Sequence, residues 1–481
     1  MNPAGSADDV DDTDEVPPNR QTRPFPVGPS TIAALWTGRE AAAPAIVSDH
    51  RTWTTRELRA ECDRVTRCLL ALEVGEAPLA WLLDDDIASI IAFLATLQAG
   101  AVWVGLNPRA TDAERQHIID DCGTPTVLTE LPSGDPTVAP VAAPRPHQVA
   151  ALAYTSGTTG RPKAAEHTHQ QLLYPAAAAI ATEGLDATAR VGTPLPLTTL
   201  NIMLLGPLTA LACGGAAVMM GRTDAAGFAD EVARHGVTRA LVVPTIVHDL
   251  VAAGVDPSSL ASLDRLIMGG SGIDRERATA AQSILGVPLV ASYGLSEAPT
   301  GVARMAIGDP GATPLPGIDV AIEPDGEITI APVVDGPWAN TWRGALRYRG
   351  RPAESAELWR GGRLHTGDAG SLDETGRLLV TGRVSDMINR GGATIAPAEV
   401  EAVLLGLSGI EDAAVFGVED ERLGQLVAAA VVGTDEVERI ATEARLTLSG
   451  YKVPERWLVL DRIPRNANGK VDRGELGRTL G

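Results

Sequence analysis

The sequence predicts an α/β protein. It has a large N-terminal domain with parallel-rich sheets and a β-rich part, then a small α+β C-terminal domain. Three observations predict this. Short apolar runs alternate with helical patterns from Leu79 to Ser292, the arrangement that gives parallel sheets. The pattern turns strand-rich between Glu327 and Thr381. It changes again near Arg383, after which roughly a hundred residues form a compact unit of ordinary domain size. A chain of 481 residues exceeds one core.

The elements follow in order. Residues 1–27 are acidic and Pro-rich, with Asp8, Asp9, Asp11, Asp12, Asp14 and Glu15 ahead of Pro17 and Pro18, and read as a disordered tail. Thr54 and Glu57 form a capping box. Leu58, Cys62, Val65, Leu69 and Leu72 behind it keep helical spacing. Leu79 to Leu83 and Ala101 to Leu106 read as buried strands around a helix, Ile87 to Gln98. A helix at Thr111 to Asp121 and a strand at Pro125 to Thr129 come next. Pro132 to Pro146 is a Pro/Ala linker. Further strands are expected at Ala216 to Met220, Ala240 to Val243, Leu266 to Met268, Leu289 to Ser292, Glu327 to Ala331 and Leu378 to Thr381. The last unit has helices at Ala398 to Leu405 and Glu436 to Leu446. Its strands are expected at Ala413 to Val418, Leu426 to Val432 and Arg456 to Leu460.

Composition narrows the function. The formal net charge of −21 disfavours nucleic-acid binding. Cys62, Cys68, Cys122 and Cys213 form no Cys-x-x-Cys pair, which points to reduced thiols in a cytoplasmic protein. Met1 to Asn19 has no basic start and no apolar core, so no signal peptide is expected, and no apolar stretch reaches the roughly 20 residues of a membrane span.

Between Tyr154 and Lys163 lie Thr155, Ser156, Gly157, Thr158, Thr159 and Gly160, directly after the apolar run Val149 to Leu152. Glycines that reach φ > 0 can turn successive N–H groups inward as an anion nest. Hydroxyls add donors, and Lys163 adds charge. Read alone, the loop is either a polar surface loop or a polyphosphate cradle. It is not a Walker A loop, because Arg161 and Pro162 separate Gly160 from Lys163.

Six more strings stand out. Gly269-Gly270-Ser271-Gly272 closes one strand, and Ser292-Tyr293-Gly294-Leu295-Ser296-Glu297 closes the next. His365-Thr366-Gly367-Asp368 follows; alone, it is equally an Asp in a turn. Gly382-Arg383-Val384-Ser385-Asp386 continues through Arg390-Gly391-Gly392. Asn468-Gly469-Lys470 lies near the end, preceded by Gly450-Tyr451-Lys452-Val453-Pro454.

Together and in this order, these strings resemble the motifs of the adenylate-forming superfamily: AMP-forming acyl-CoA synthetases, luciferases and adenylation domains. The resemblance covers about residues 30 to 475. It implies a division into an N-terminal adenylate-forming domain (28–382), a hinge (383–386) and a mobile C-terminal domain (387–481). It implies ATP, AMP, Mg²⁺ and coenzyme A as cofactors and substrates. Thr155 to Gly160 and Lys163 would meet the phosphates, and Glu297 would hold the metal, which prefers carboxylate and phosphate oxygens. Gly270, Ser271, Ser292, Tyr293, Gly294 and Ser296 would border the nucleotide, with the flat face of Tyr293 toward adenine. Asp368 and Arg383 would meet ribose or phosphate. Lys470 would reach the reacting carboxylate and α-phosphate. Ser385 falls at the pivot, where the family more often carries Asp or Lys. Arg390, Gly391, Gly392, Tyr451 and Lys452 would border the CoA path.

The acyl pocket departs from the family. Thr198, Thr199, Asn201, Pro244, Gly270, Pro299, Thr300 and Gly301 would line it, without the usual aromatic or His. Ala164 and Ala165 follow Lys163 where Gly is usual, and Arg363 stands where an aromatic is common. The expected reaction is ATP-dependent conversion of a bulky, mostly apolar carboxylic acid to acyl-AMP and then acyl-CoA. Two alternatives stay open: thioesterification of acyl-AMP supplied by a partner adenylating enzyme, and loading of a carrier protein. No Lys, Arg, Asp or Glu lies in the pocket segments, so an acid with a second, unmatched charge is expected to be excluded.

Overall fold

The computed structural model describes residues 30–124, 126–138, 143–155, 162–221, 224–269, 275–465 and 471–480. The side chains of Thr155 and Thr394 are outside that description. So are the acidic tail, Ser156 to Gly160, Gly270, Ser271 and Lys470.

Among the described residues, four sheets form. The largest runs through Thr313–Pro314, Thr300–Ala306, Leu289–Leu295, Arg265–Gly269, Arg239–Val242, Arg190–Thr193, Ala216–Met219, Pro44–Val47 and Thr52–Thr54. Its centre is parallel from Pro44–Val47 to Leu289–Leu295, and hairpins close both edges. A second sheet orders Val127–Leu128, Pro78–Trp81, Val102–Gly105, Val149–Thr155 and Lys163–Thr168, with only the last pair antiparallel. Strands Ile318–Ile322, Glu327–Pro332, Trp359–Arg360, Arg363–Leu372 and Leu378–Arg383 make an antiparallel third sheet.

Two of the helices start at sequence-encoded caps. Thr54–Glu57 and Thr111–Glu114 are complete capping boxes on Thr55–Ala71 and Asp112–Cys122. Leu58, Cys62, Val65 and Leu69 are fully buried. Leu72 is 56% exposed, because the helix ends before it and Leu72 serves as the C-cap. The main core joins Thr55–Ala71, Asp86–Gln98 and His169–Glu183 to facing sides of the two parallel-rich sheets, around Trp81, Trp103 and Trp342.

The fourth sheet is built from residues 388–459 and carries its own core of Ile388, Val400, Val415, Val431 and Ile440. Strand Leu378–Arg383 passes into a short 3₁₀ turn, Val384–Asp386, just before it. Arg473 spans this turn and the fourth-sheet unit, reaching Asp386 at 3.4 Å and Glu401 at 2.6 Å. The expected strands appear with ends shifted by a few residues, and two additions shape the site. Lys163–Thr168 is a strand, and the His365–Asp368 motif lies inside a ten-residue strand rather than a turn.

Candidate active site

Lys163 opens its strand opposite Thr155. A ribbon, residues 345–349, bonds along the same strand. Leu346 N donates to Glu166 O at 2.9 Å, Glu166 N to Arg347 O at 3.0 Å, and Arg349 N to Ala164 O at 2.9 Å. The buried Glu166 carboxylate accepts from Arg347 Nε at 2.8 Å and Arg349 Nη1 at 3.2 Å. Side chains alternate along an extended ribbon, so Tyr348 points away from that ion cluster. Its hydroxyl donates to Glu297 Oε1 at 2.6 Å. Lys163 Nζ lies 5.5 Å from the Tyr348 ring centroid, within cation–π range. Burial, and next the Glu297 charge, push the Tyr348 hydroxyl pKa upward, which keeps it a donor. Among the described residues no donor reaches Glu297 Oε2.

Backbone contacts fix Glu297 from both sides. Its carbonyl accepts from Ala345 N at 2.6 Å. His167 Nε2 lies 2.8 Å from the Ser296 carbonyl, so this nitrogen carries the proton. Burial holds His167 at a pKa of about 4, so the ring is neutral at pH 7.

A second carboxylate is anchored nearby in the fold. Asp368 lies directly across from Arg383 in the strand pair. Arg383 Nε pairs with Asp368 Oδ1 at 2.8 Å, and Tyr293 Oη donates to Oδ2 at 2.7 Å. Gly367 takes φ 69°, a left-handed conformation suited to glycine. Glu327 secures it, accepting from Gly367 N at 2.9 Å and pairing with His365 Nδ1 at 2.7 Å.

Gly294 is also required by the fold. A Cβ there would sit 1.8 Å from the Thr300 carbonyl oxygen. The close approach is the hairpin's own backbone. Thr300 takes φ 82°, unusual for a β-branched residue. Its buried hydroxyl has no partner among the described residues, nor has that of Thr198. Thr199 caps the short helix Leu200–Met203 without a side-chain bond, and Thr199 and Asn201 are exposed. Pro244 begins helix Pro244–Ala252. Pro299 and Gly301 are buried beside Thr300. Ser292 is half-buried on Leu289–Leu295. Arg363 stands apart on the third sheet, bonded to Asp319 and Thr329.

The remaining candidates lie in the fourth-sheet unit. Arg390 pairs with Glu455 at 2.6 Å, and Lys452 with Glu399 at 2.5 Å. Gly391 and Gly392 form a left-handed turn at φ 57° and 86°. Tyr451 is 42% exposed, with Lys452 Nζ 5.8 Å from its ring. Ser385 sits in the 3₁₀ turn and donates to Asp386 Oδ1 at 3.1 Å.

Sequence reasoning missed Tyr348. Nothing within Arg347-Tyr348-Arg349 signals a partner for Glu297; the ribbon pairing supplies the position. Among the described residues no group of three or more His, Cys, Asp or Glu could cage a metal. One anchored carboxylate with a spare oxygen suits Mg²⁺, which is commonly held by one or two carboxylates plus substrate phosphates. Among the described residues no helix is long and apolar enough to cross a membrane.

Comparison with known proteins places this geometry. Residues 35–142 and 129–336 match the AMP-binding enzyme family, and residues 399–470 match the AMP-binding enzyme C-terminal domain. A feruloyl-CoA synthase from an Amycolatopsis species is 34% identical over 444 residues, covering 84% of this chain and 89% of that protein. A fatty acid–[acyl-carrier-protein] ligase from Streptomyces coeruleorubidus is 30% identical, covering 91% and 93%. The o-succinylbenzoate CoA synthetase of Bacillus subtilis, solved with its acyl-adenylate intermediate, superposes with a TM-score of 0.83 at 26% identity, covering 93% and 98%. The same enzyme with ATP and magnesium gives 0.80 at 27% identity, covering 90% and 96%. The chain therefore belongs to the AMP-binding enzyme family and is an AMP-forming acid–thiol ligase using ATP, Mg²⁺ and coenzyme A.

Proposed function

We propose that the chain activates a bulky, mostly apolar carboxylic acid as acyl-AMP and then transfers the acyl group to coenzyme A. One observation carries the reading: two carboxylates, Glu297 and Asp368, are each anchored by a tyrosine inside the motifs that resemble the family's metal and ribose sites.

In the first step an oxygen of the acid attacks the α-phosphorus of ATP, and pyrophosphate leaves. Both reactants are anions, so the protein must neutralise charge and hold them in line. Glu297 would hold Mg²⁺, which when bound neutralises phosphate oxygens. Thr155 to Gly160 and Lys163 would take the β- and γ-phosphates. Gly270, Ser271, Ser292, Tyr293, Gly294 and Ser296 would border the nucleotide. Asp368 would accept from ribose hydroxyls, with Arg383 steering it, and Lys470 would meet the reacting oxygens.

In the second step the domain 387–481 would turn about the hinge 383–386, with Ser385 as pivot, and withdraw Lys470. Arg390, Gly391, Gly392, Tyr451 and Lys452 would guide CoA, with the two ion-paired cations exchanging Glu455 and Glu399 for phosphate. The thiol loses its proton, its sulfur attacks the acyl carbonyl, and AMP leaves.

A bulky acid fits Thr198, Thr199, Asn201, Pro244, Gly270, Pro299, Thr300 and Gly301, which bring no large aromatic into the pocket. The name of one relative, feruloyl-CoA synthase, fits that class. The carrier-protein ligase among the relatives supports a second reading, transfer to a carrier's thiol.

The test is a panel of acids with ATP, Mg²⁺ and CoA, scored separately for pyrophosphate release and thioester formation. Bulky aryl acids are expected to turn over, and acetate and amino acids to fail. Lys470→Ala should slow acyl-AMP formation on the order of a hundredfold or more while sparing thioester synthesis from supplied acyl-AMP. Transfer to a carrier protein but not to CoA selects the second reading. Conversion of supplied acyl-AMP, with no pyrophosphate from any acid, overturns the adenylation step.

A further inference from the structure

Ser292 and Arg304 lie directly opposite each other in the hairpin Leu289–Leu295/Thr300–Ala306, so their side chains share one face of the largest sheet. Leu205, Leu241 and Ile267 form a small apolar cluster on that face, with Ile202 and Val290 packed against it. Ile202, Val290 and Ser292 retain partial exposure although helices cover this face. These partly exposed residues lie beside the segments assigned to the acyl group, with Ser292 Oγ 3.8 Å from where a Cβ on Gly301 would sit.

An unbalanced charge lies on the same face. Glu183, at the end of His169–Glu183, pairs with both Arg239 and Arg304. Their side chains are 4%, 1% and 9% exposed, respectively. Arg239 uses its remaining reach on the Leu205 carbonyl, 2.8 Å away. Arg304 Nε and Nη2 are buried with no acceptor among the described residues. Two guanidiniums thus share one carboxylate, and the surplus positive charge sits on Arg304 beside two unused donors. Burying such a group is costly unless an acceptor completes it. The cover over the triad is a π-helical turn, Leu204–Leu208, with Pro207 inside it. Such turns are frequent at functional sites.

We propose that Arg304 is a specificity residue that takes an oxygen acceptor, preferably a carboxylate, on the end of the acid remote from the carboxyl that is activated. The substrate is then a bulky acid with an apolar body and a distal anionic or carbonyl oxygen. This rests on the ligase reading above and replaces the expectation that a second charge is excluded. That expectation considered only the pocket segments, whereas the hairpin brings Arg304 opposite Ser292.

The experiment compares 3-phenylpropanoate and 4-phenylbutanoate with their para-carboxy and para-acetyl derivatives, using kcat/KM for pyrophosphate release with ATP and Mg²⁺. The wild type should favour the derivative of at least one chain length by on the order of a hundredfold or more, as sites built to hydrogen-bond a substrate do. Arg304→Met should abolish that ratio while leaving the unsubstituted acid within about threefold, and Arg304→Lys should retain part of it. An unchanged ratio in Arg304→Met overturns the proposal. So does wild-type preference for the unsubstituted acids, which decides the matter even if Arg304→Met does not fold. Failure of the ligase reading is separable: no acid releases pyrophosphate, and the same ratios are then read from thioester formation with the synthetic acyl-adenylates.

Discussion

Tyr348 Oη donates to Glu297 Oε1 at 2.6 Å, and the same ring lies 5.5 Å from Lys163 Nζ. One aromatic side chain thus touches both the proposed metal carboxylate and the lysine that follows the proposed phosphate loop. Tyr348→Phe keeps the ring and removes only the hydrogen bond. A hydrogen bond to a charged partner contributes about 1.5–3 kcal/mol, so pyrophosphate release should fall roughly 10- to 100-fold. Thioester formation from supplied acyl-AMP should change little, because no triphosphate is involved. Equal loss in both assays would make Tyr348 a general structural residue instead.

Asp368 pairs with Arg383 and accepts from Tyr293. If it also holds ribose, its loss should weaken nucleotide throughout the cycle. Asp368→Ala is expected to raise the Kd for both ATP and AMP by about tenfold or more, with both half-reactions affected. Tyr293→Phe leaves Arg383 in place and should have a smaller effect on both. Calorimetric titration of each nucleotide decides it: unchanged AMP affinity in Asp368→Ala removes the ribose role.

Two buried histidines predict a pH dependence of stability. Burial lowers the pKa of His167 and His169 to about 4 from an ordinary 6.5. The native state resists the proton that the unfolded chain accepts. Stability is therefore full above about pH 6.5 and is lost as pH falls toward 4. Each depression corresponds to roughly 3 kcal/mol at complete titration. His167→Gln retains a donor for the Ser296 carbonyl and should reduce the loss between pH 7 and 4.5 by about half. Urea midpoints at several pH values measure this; parallel curves for the two proteins would exclude His167 as a source.

Much of the architecture was legible because apolar runs and capping boxes act locally. The Thr54–Glu57 box forms as read, the helix expected from Thr111 starts at a second box, and the parallel strands fall where the apolar runs are. Local chemistry also marked Glu297, Asp368, Tyr293 and Arg383, and the fold joins the last three in one cluster. Features set by pairing between distant segments were not legible. Tyr348 reaches Glu297 only because residues 345–349 bond beside Lys163–Thr168. Arg304 reaches Glu183 across 121 positions. Leu72 kept the helical spacing, yet nothing local said the helix would stop one residue earlier.

Thr300 supplies the last prediction. Its φ of 82° is a conformation that costs a β-branched residue about 1–3 kcal/mol. Its buried hydroxyl also lacks a partner among the described residues. Both costs are removed by Thr300→Gly, which should raise stability by roughly 1 kcal/mol or more, despite the added freedom of the unfolded chain. A residue kept only for packing would then lose nothing in activity. Thr300 lies in the hairpin that brings Gly294 against its carbonyl, between the motif ending in Glu297 and the sheet face of Arg304. Its hydroxyl is accordingly expected to serve the acyl group, so the glycine variant should be more stable but show a several-fold higher KM for its acid. Thermal unfolding and acid-dependent pyrophosphate release test the two halves separately. A stabler variant with unchanged KM would leave the strain without a catalytic use.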